Sequence, residues 1–415
     1  ASMFTALFMT RAVFDLGLYL GKLKSLRMYM FSWIKDTNYD FLGMKKVALG
    51  FSAVLIIVSL LTMGVRGRNA LSIDFAGGTA TGRLSYTEVG SMRLEALATG
   101  YLGSGVEVAG ISPVVGRFHP ADFVLLAGAV DAGCVAGGFT YMDQPELGLS
   151  YRLEARNRAG ALTVNYRGDP EDAARPYHVG TVTLVAEHDD DGIDRAPRLL
   201  AEPGRTWVNG RLDGVDPAAR FLRLANPDGP FDALAIGLHV TDPDGVRVAD
   251  PDMNPFTSGD CTVDASCNAR AIATTSLRYG RLEAGNVAGS EAAALTMPVR
   301  TTYYRNGAFV ANDLDACTTL ATSDLVLANA SASDVRTGSI AIGGGSTTAS
   351  IVNTPAHAGK VDVMFSAPGI GNTGYVDVLV DLDTATGADA PWLAFDWDND
   401  PATPAQGPRA RATFG

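Results

Sequence analysis

Val-Asp-Val-Leu-Val-Asp-Leu-Asp, residues 376–383, sets Val376, Val378, Val380 and Leu382 against Asp377, Leu379, Asp381 and Asp383. Successive side chains of an extended chain point to opposite faces, so a period of two with one apolar face describes a half-buried strand. Two further stretches read the same way. Val182, Leu184 and Ala186 alternate with Thr181, Thr183 and Val185, and Val361, Val363 and Phe365 alternate with Asp362 and Met364. Gly, Pro, Asn and Asp clusters punctuate the chain at 157–160, 167–170, 226–230, 241–245 and 368–374, and turns favour these residue types. Sustained helical spacing is scarce beyond residue 83. Pro217–Leu224 is the one short candidate helix, and the Gly/Ser/Thr run at 343–350 reads as a linker or a hairpin tip. The expectation is a mainly β chain, with two or three sandwich-like units in series over residues 84–415.

The first eighty residues are chemically different. They hold nine Lys and Arg against four Asp and Glu, a net charge of +5, whereas the remaining residues carry 24 against 41, or −17. Five of the six lysines fall at or before Lys46 and only Lys360 follows. Val47–Val65 is an uncharged run of 19 residues. At about 1.5 Å per residue such a helix nearly crosses a hydrocarbon core, and a helix buried in a soluble protein seldom stays apolar on every face for that length. It starts too far from the N-terminus, behind another apolar segment, to read as a signal peptide. Residues 1–20 read as the end of an earlier membrane helix, with Arg11 and Asp15 four residues apart on one face. Residues 21–46 contain Lys22, Lys24, Arg27, Lys35, Lys45 and Lys46 against Asp36 and Asp40, so the positive-inside rule puts this loop in the cytoplasm. The helix at 47–65 would then carry everything after the 66–83 junction out of the cytoplasm.

Ser2–Leu16 (SMFTALFMTRAVFDL) resembles the end of the last membrane helix of SecD. Asn38–Gly78, with IDFAGG at 73–78, resembles the start of SecF, so the order resembles a SecD–SecF junction over about a fifth of the chain. That resemblance implies a part in preprotein export driven by the proton gradient. The relay itself would need ionisable groups within several packed helices, which the rest of the chain does not provide.

All four cysteines, Cys134, Cys261, Cys267 and Cys317, lie beyond the apolar run. An even number in an acidic, Lys-poor, exported β-region favours disulfides. Four cysteines permit three pairings. A local bridge between Cys261 and Cys267, with five residues between them, would leave Cys134 and Cys317 as a long-range staple. The spacing does not suit a zinc ribbon.

Motifs for catalysis are missing. His119, His178, His188, His239 and His357 are scattered, and no serine sits in a G-x-S-x-G elbow. The expectation is a protein that is not an enzyme, with a secreted carbohydrate-active enzyme as the weaker alternative. Asp396, Asp398 and Asp400 sit at alternate positions, like the first ligands of a calcium loop, and make calcium the one cofactor to look for. Asp189-Asp190-Asp191-Gly-Ile-Asp194 is a second acidic candidate. A net charge of −12 repels phosphate and argues against nucleic acid.

A second resemblance runs from Leu84 (LSYTEVGSM) to the end. Gly116–Phe123 (GRFHPADF), Cys134 with Gly138–Met142 (GFTYM), Asn165–Gly168 (NYRG), Tyr304 with Phe309–Asn312 (FVAN) and Cys317, Pro391–Leu393 (PWL), Asp396-Trp397 and Arg411–Gly415 (RATFG) follow in order. Their order resembles the C-terminal region of MshQ-type proteins, which are encoded with the biogenesis machinery of mannose-sensitive haemagglutinin (MSHA) type IV pili. The resemblance implies a structural or adhesive role, with envelope or pilus proteins as partners. Together the readings imply a protein of the bacterial inner membrane whose C-terminal region is periplasmic or extracellular.

Overall fold

In the computed structural model, the first part of the alternating stretch, up to Val380, lies in an interior strand, paired on both sides and apolar on one face. The structure describes residues 74–76, 79–98, 107–168, 179–202, 206–336, 338–384, 390–400 and 402–415, together with Val54 and Ile57. Among the described residues the chain is mainly β, 49% strand against 5% helix. It divides into two units, Ala1–Leu84 and Ser85–Gly415.

In the first unit β1 (Asp74–Ala76) pairs antiparallel with β2 (Thr79–Thr81), within the 66–83 junction. The expected membrane helix at 47–65 lies, apart from Val54 and Ile57, outside the described residues, as do segments 1–20 and 21–46. Among the described residues no helix is long and apolar enough to cross a membrane.

The second unit begins with two small antiparallel pairs. β3 (Gly90–Met92) lies beside β6 (Val115–Phe118), and β4 (Glu95–Ala98) beside β5 (Val108–Ile111). Eight strands follow: β7 (Asp122–Asp131), β8 (Thr140–Tyr141), β9 (Leu147–Arg156), β10 (Thr181–Glu187), β11 (Leu199–Leu200), β12 (Arg211–Phe221), β13 (Phe231–Thr241) and β14 (Ala269–Arg278). They form two four-stranded sheets, ordered β10-β13-β14-β8 and β11-β12-β9-β7. The sheets share their apolar faces: Phe123, Tyr151, Leu153 and Leu212 of one pack with Leu238 and Val240 of the other, around the fully buried Trp207.

The last ten strands are β15 (Gly280–Ala284), β16 (Val287–Gly289), β17 (Leu295–Arg305), β18 (Ala308–Ala311), β19 (Leu325–Ala328), β20 (Ser339–Ile342), β21 (Gly345–His357), β22 (Lys360–Phe365), β23 (Gly374–Val380) and β24 (Arg409–Phe414). One sheet runs β15-β17-β22-β21-β20, with β18 added on β17, and the other runs β16-β24-β23-β19. Val361, Val363 and Phe365 of β22 meet Val376, Val378 and Val380 of β23 in one core. Burying each such side chain contributes about 1.5–3 kcal/mol, which is why the apolar face of each strand decides its place.

One local expectation is overturned and one alternative is selected. Pro217–Leu224 is not helical. Pro217 lies inside β12, where the register with β9 shifts between Asp216 and Ala219. A bulge accommodates a residue with no N–H to give to a ladder, and burial of Ala219 and Phe221 holds the segment extended. The 343–350 run is a hairpin: Ile342 pairs with Gly345, and Gly343 at φ 59° takes the turn.

The two sheet pairs are not independent beads. Only Tyr279 separates β14 from β15, so one strand leads directly into the next sheet. Cys134, Phe139 and Tyr141, from the β7–β9 region, lie within the core formed by β15–β24. The tyrosine ring packs against Gly280, where any Cβ would collide with it. Its hydroxyl donates to Asp315 Oδ2 at 2.8 Å and accepts from Asn312 Nδ2 at 2.6 Å. Asn312 in turn accepts from Arg278, whose guanidinium lies 4.5 Å from the ring centres of both Phe139 and Tyr303. Asp315 also accepts from the backbone of Cys317 and from both N–H and hydroxyl of Thr318. Cys317 is bonded to Cys134, 183 residues away in sequence.

Tyr141→Phe removes one hydroxyl from this buried network and leaves the Asn312 amide with one partner fewer, an expected loss of about 1–3 kcal/mol in urea unfolding. Cys134→Ser/Cys317→Ser also releases a very long loop, for a larger expected loss of about 3–5 kcal/mol. Unchanged midpoints for both variants would contradict the arrangement.

Candidate functional site

All four cysteines are bonded in the structure. Cys134 and Cys317 have Cα atoms 5.5 Å apart, and Cys261 and Cys267 are 4.9 Å apart. The local pair closes a helical turn, Cys261–Asp264, that Asp260 caps by accepting from the Thr262 N–H at 2.9 Å. Ala265, left-handed at φ 57°, ends it. The flap leading to this turn covers the outer face of the first sheet, where Met253 packs with Val185 and Ala269.

The acidic motifs are used differently from a calcium loop. Asp398 Oδ1 accepts from the Asp400 N–H at 3.1 Å and from the Thr403 hydroxyl at 2.8 Å, and these hydrogen bonds hold its carboxyl below the usual range. Asp400 accepts from the Ala402 N–H at 3.0 Å. Asp396 is half-buried and interacts with Asp398. Among the described residues no three His, Cys, Asp or Glu side chains converge to hold a metal ion. Alternate spacing would gather carboxylates on one face of a straight strand, but here the backbone turns and two of the three carboxylates bond to it. In the second motif Asp191 grips Arg195 at 2.6 and 2.9 Å and is lowered to about 2 by that contact. Asp194 accepts from the Ala196 N–H at 2.9 Å.

The neighbouring Glu187, 6% exposed at the end of β10, shows the opposite shift. Burial pushes its carboxyl up to about 7, and the adjacent Asp190 adds to the effect.

The chemistry-bearing cavity lies elsewhere. A pocket of about 510 Å³ opens between β15 and the segment 395–409. β15 is an edge strand of its sheet, which leaves its outer side free to meet this segment. Arg281 and Glu283 project from alternate positions of β15, joined by hydrogen bonds of 3.0 and 2.6 Å to one carboxylate oxygen. The Arg281 guanidinium lies 3.8 Å from the Phe309 ring centre, 4.8 Å from Phe395 and 4.9 Å from Trp397. Phe395 and Trp397 meet edge to face at 5.4 Å. The Trp397 indole N–H donates to the Gln406 carbonyl at 3.1 Å, yet the residue stays 46% exposed. Gln406 accepts from Arg409 at 3.2 Å. At the back, Gly407 sits so close to the Val380 carbonyl that no side chain fits there. A cationic plane resting on ring faces is attracted by their quadrupoles and stiffens the whole wall.

Asp396 and Trp397 lie in one of the ordered motifs, but the pocket that Trp397 helps line has no contiguous signature in the sequence. Its signals were the alternate aromatics Phe395 and Trp397 and the Arg281-x-Glu283 pair, which stand more than a hundred residues apart.

Residues 88–268 match the family model described as DUF6701, third domain, and residues 278–415 match DUF6701, fourth domain. Together the two matches span more than three-quarters of the chain. The chain belongs to the DUF6701 family. No curated protein matches it. The Cys134–Cys317 bond thus joins the two DUF6701 domains, and the gap between the matches falls within β14. The pocket belongs entirely to the fourth DUF6701 domain.

The Glu187 environment makes stability depend on pH. Folding raises this pKa above its ordinary 4.5, so the folded state holds the proton more tightly. Its contribution is undiminished below about pH 4.5 and is lost as pH rises through about 7. Glu187→Gln is expected to flatten that slope and to stabilise the protein at pH 8 by on the order of 1–3 kcal/mol, read by urea unfolding across the range. A variant less stable than the parent at pH 8 would contradict this.

Proposed function

We propose that this chain is a non-enzymatic, exported structural and interaction module of the bacterial envelope, linked to MSHA-type pilus biogenesis or surface adhesion. The observation that carries the reading is the pair of disulfides, one of which locks the two DUF6701 domains together. Disulfides persist in oxidising compartments, and a module that must keep its shape outside the cell gains from a covalent clamp. The acidic, Lys-poor composition after residue 83 and the ordered MshQ-like motifs support the same assignment. The SecD/SecF-like stretch and the apolar run at 47–65 support an inner-membrane anchor, with the C-terminal region on the periplasmic or outer side.

Protease treatment of intact cells and of spheroplasts expressing the whole chain tests the topology, and crosslinking in spheroplasts tests the partners. The expected outcome is digestion of residues 84–415 from outside the cytoplasmic membrane, with pilus or other envelope proteins crosslinked to them. Protection until the cytoplasmic membrane is lysed would overturn the reading.

A further inference from the structure

We propose that the pocket between β15 and the 395–409 segment binds a neutral saccharide, with Trp397 as its stacking platform. The inference rests on the reading of the chain as a non-enzymatic exported module and specifies what its adhesive face recognises.

Charge decides the ligand class first. The lining carries two guanidiniums, Arg281 and Arg409, and two carboxylates, Glu283 and Asp398. Their formal charges cancel, and Arg281 is already neutralised by Glu283 at 2.6 Å. Such a wall carries no net formal charge to select an anion or a cation, so it suits a ligand that is polar but uncharged. The polar groups are also the kinds that match hydroxyls. Carboxylate oxygens accept, the Arg409 guanidinium and the Gln406 amide nitrogen donate, and the Thr403 hydroxyl, whose proton is given to Asp398, accepts.

The aromatic wall decides the rest. A pyranose ring has a face of C–H groups beside its rim of hydroxyls, and that face packs on an indole while the rim meets planar polar side chains. Trp397 presents such a ring at 46% exposure. Its indole N–H is used by the Gln406 carbonyl and its edge rests on Phe395, so its orientation is set before any ligand arrives. Preorganisation of this kind reduces the ordering cost of binding. The pocket volume of about 510 Å³ lies within the usual range of small-molecule sites, ~300–1,000 Å³. Pro404 and Pro408 line the same segment and stiffen it.

The test uses the whole chain in detergent with maltose, cellobiose, lactose and N,N′-diacetylchitobiose as probes. Tryptophan fluorescence and saturation-transfer NMR are read together. At least one probe is expected to bind saturably, with its ring C–H protons receiving the strongest transfer. Trp397→Ala is expected to weaken that binding at least tenfold, while Trp397→Phe, which keeps a ring, weakens it less. Arg409→Ala, on the exposed rim, should also weaken binding with an unchanged melting temperature. Absence of saturable binding to all four probes at their solubility limits would overturn the proposal. So would a melting-competent Trp397→Ala variant that binds as tightly as the parent. If envelope proteins still crosslink to the chain while no sugar binds, this inference falls and the anchoring reading stands. Sugar binding without an envelope location would separate the two the other way.

Discussion

The second unit is organised around one buried chain of hydrogen bonds, running from Arg278 through Asn312 and Tyr141 to Asp315. Asn312 and Asp315 are fully buried and Tyr141 nearly so. Polar groups in such a place cost several kcal/mol if unpaired, so the pairings among them hold the structure to one arrangement. Tyr141 comes from the third DUF6701 domain and its partners from the fourth, so the network closes only when both have folded against each other. Burial and the Asp315 carboxylate hold the tyrosine phenol protonated, which keeps its donor in place. The Cys134–Cys317 bond lies beside this network, since the Cys317 N–H donates to the same Asp315 carboxylate. Covalent and polar links therefore support one junction.

The scarcity of lysine after residue 46 has a structural counterpart. Arg198, Arg223, Arg278, Arg281 and Arg411 each lie over an aromatic ring, at 4.4, 4.8, 4.5, 3.8 and 4.0 Å from the nearest ring centre. A planar guanidinium can stack on a ring and still direct several N–H groups at oxygens, which an ammonium cannot do. Arg223 shows the pattern: it stacks on Tyr279 and donates to the carbonyls of Trp392 and Ala394 at 2.9 and 2.6 Å, tying the β12 end to the segment that builds the pocket. The same chemistry thus serves the junction and the pocket wall.

The strands were legible where one face was buried and the other wet. The stretches at 376–380, 182–186 and 361–365 lie in β23, β10 and β22 because a period of two is a direct signature of that environment. Val185 was less legible: the Met253 flap covers the outer face of β10, so a residue expected to face solvent is buried. Pro217 misled because its effect depends on a bulge that only the partner strand reveals. The local cystine was readable from its spacing, since a bridge of that span needs only a turn. The Tyr141–Asp315 contact spans 174 residues and leaves no periodic trace. The pocket has the same character: its two walls are distant in sequence, and the acidic residues that drew attention at 396–400 chiefly shape a turn beside it.

The account turns on a clamp that closes in an oxidising space. Peptide mapping without reduction, on protein isolated from its native membrane after rapid alkylation, reads the state of each sulfur directly. The account predicts a crosslinked peptide containing Cys134 and Cys317, a second containing Cys261 and Cys267, and no alkylated thiol. Four alkylated cysteines, or a different pairing, would contradict it.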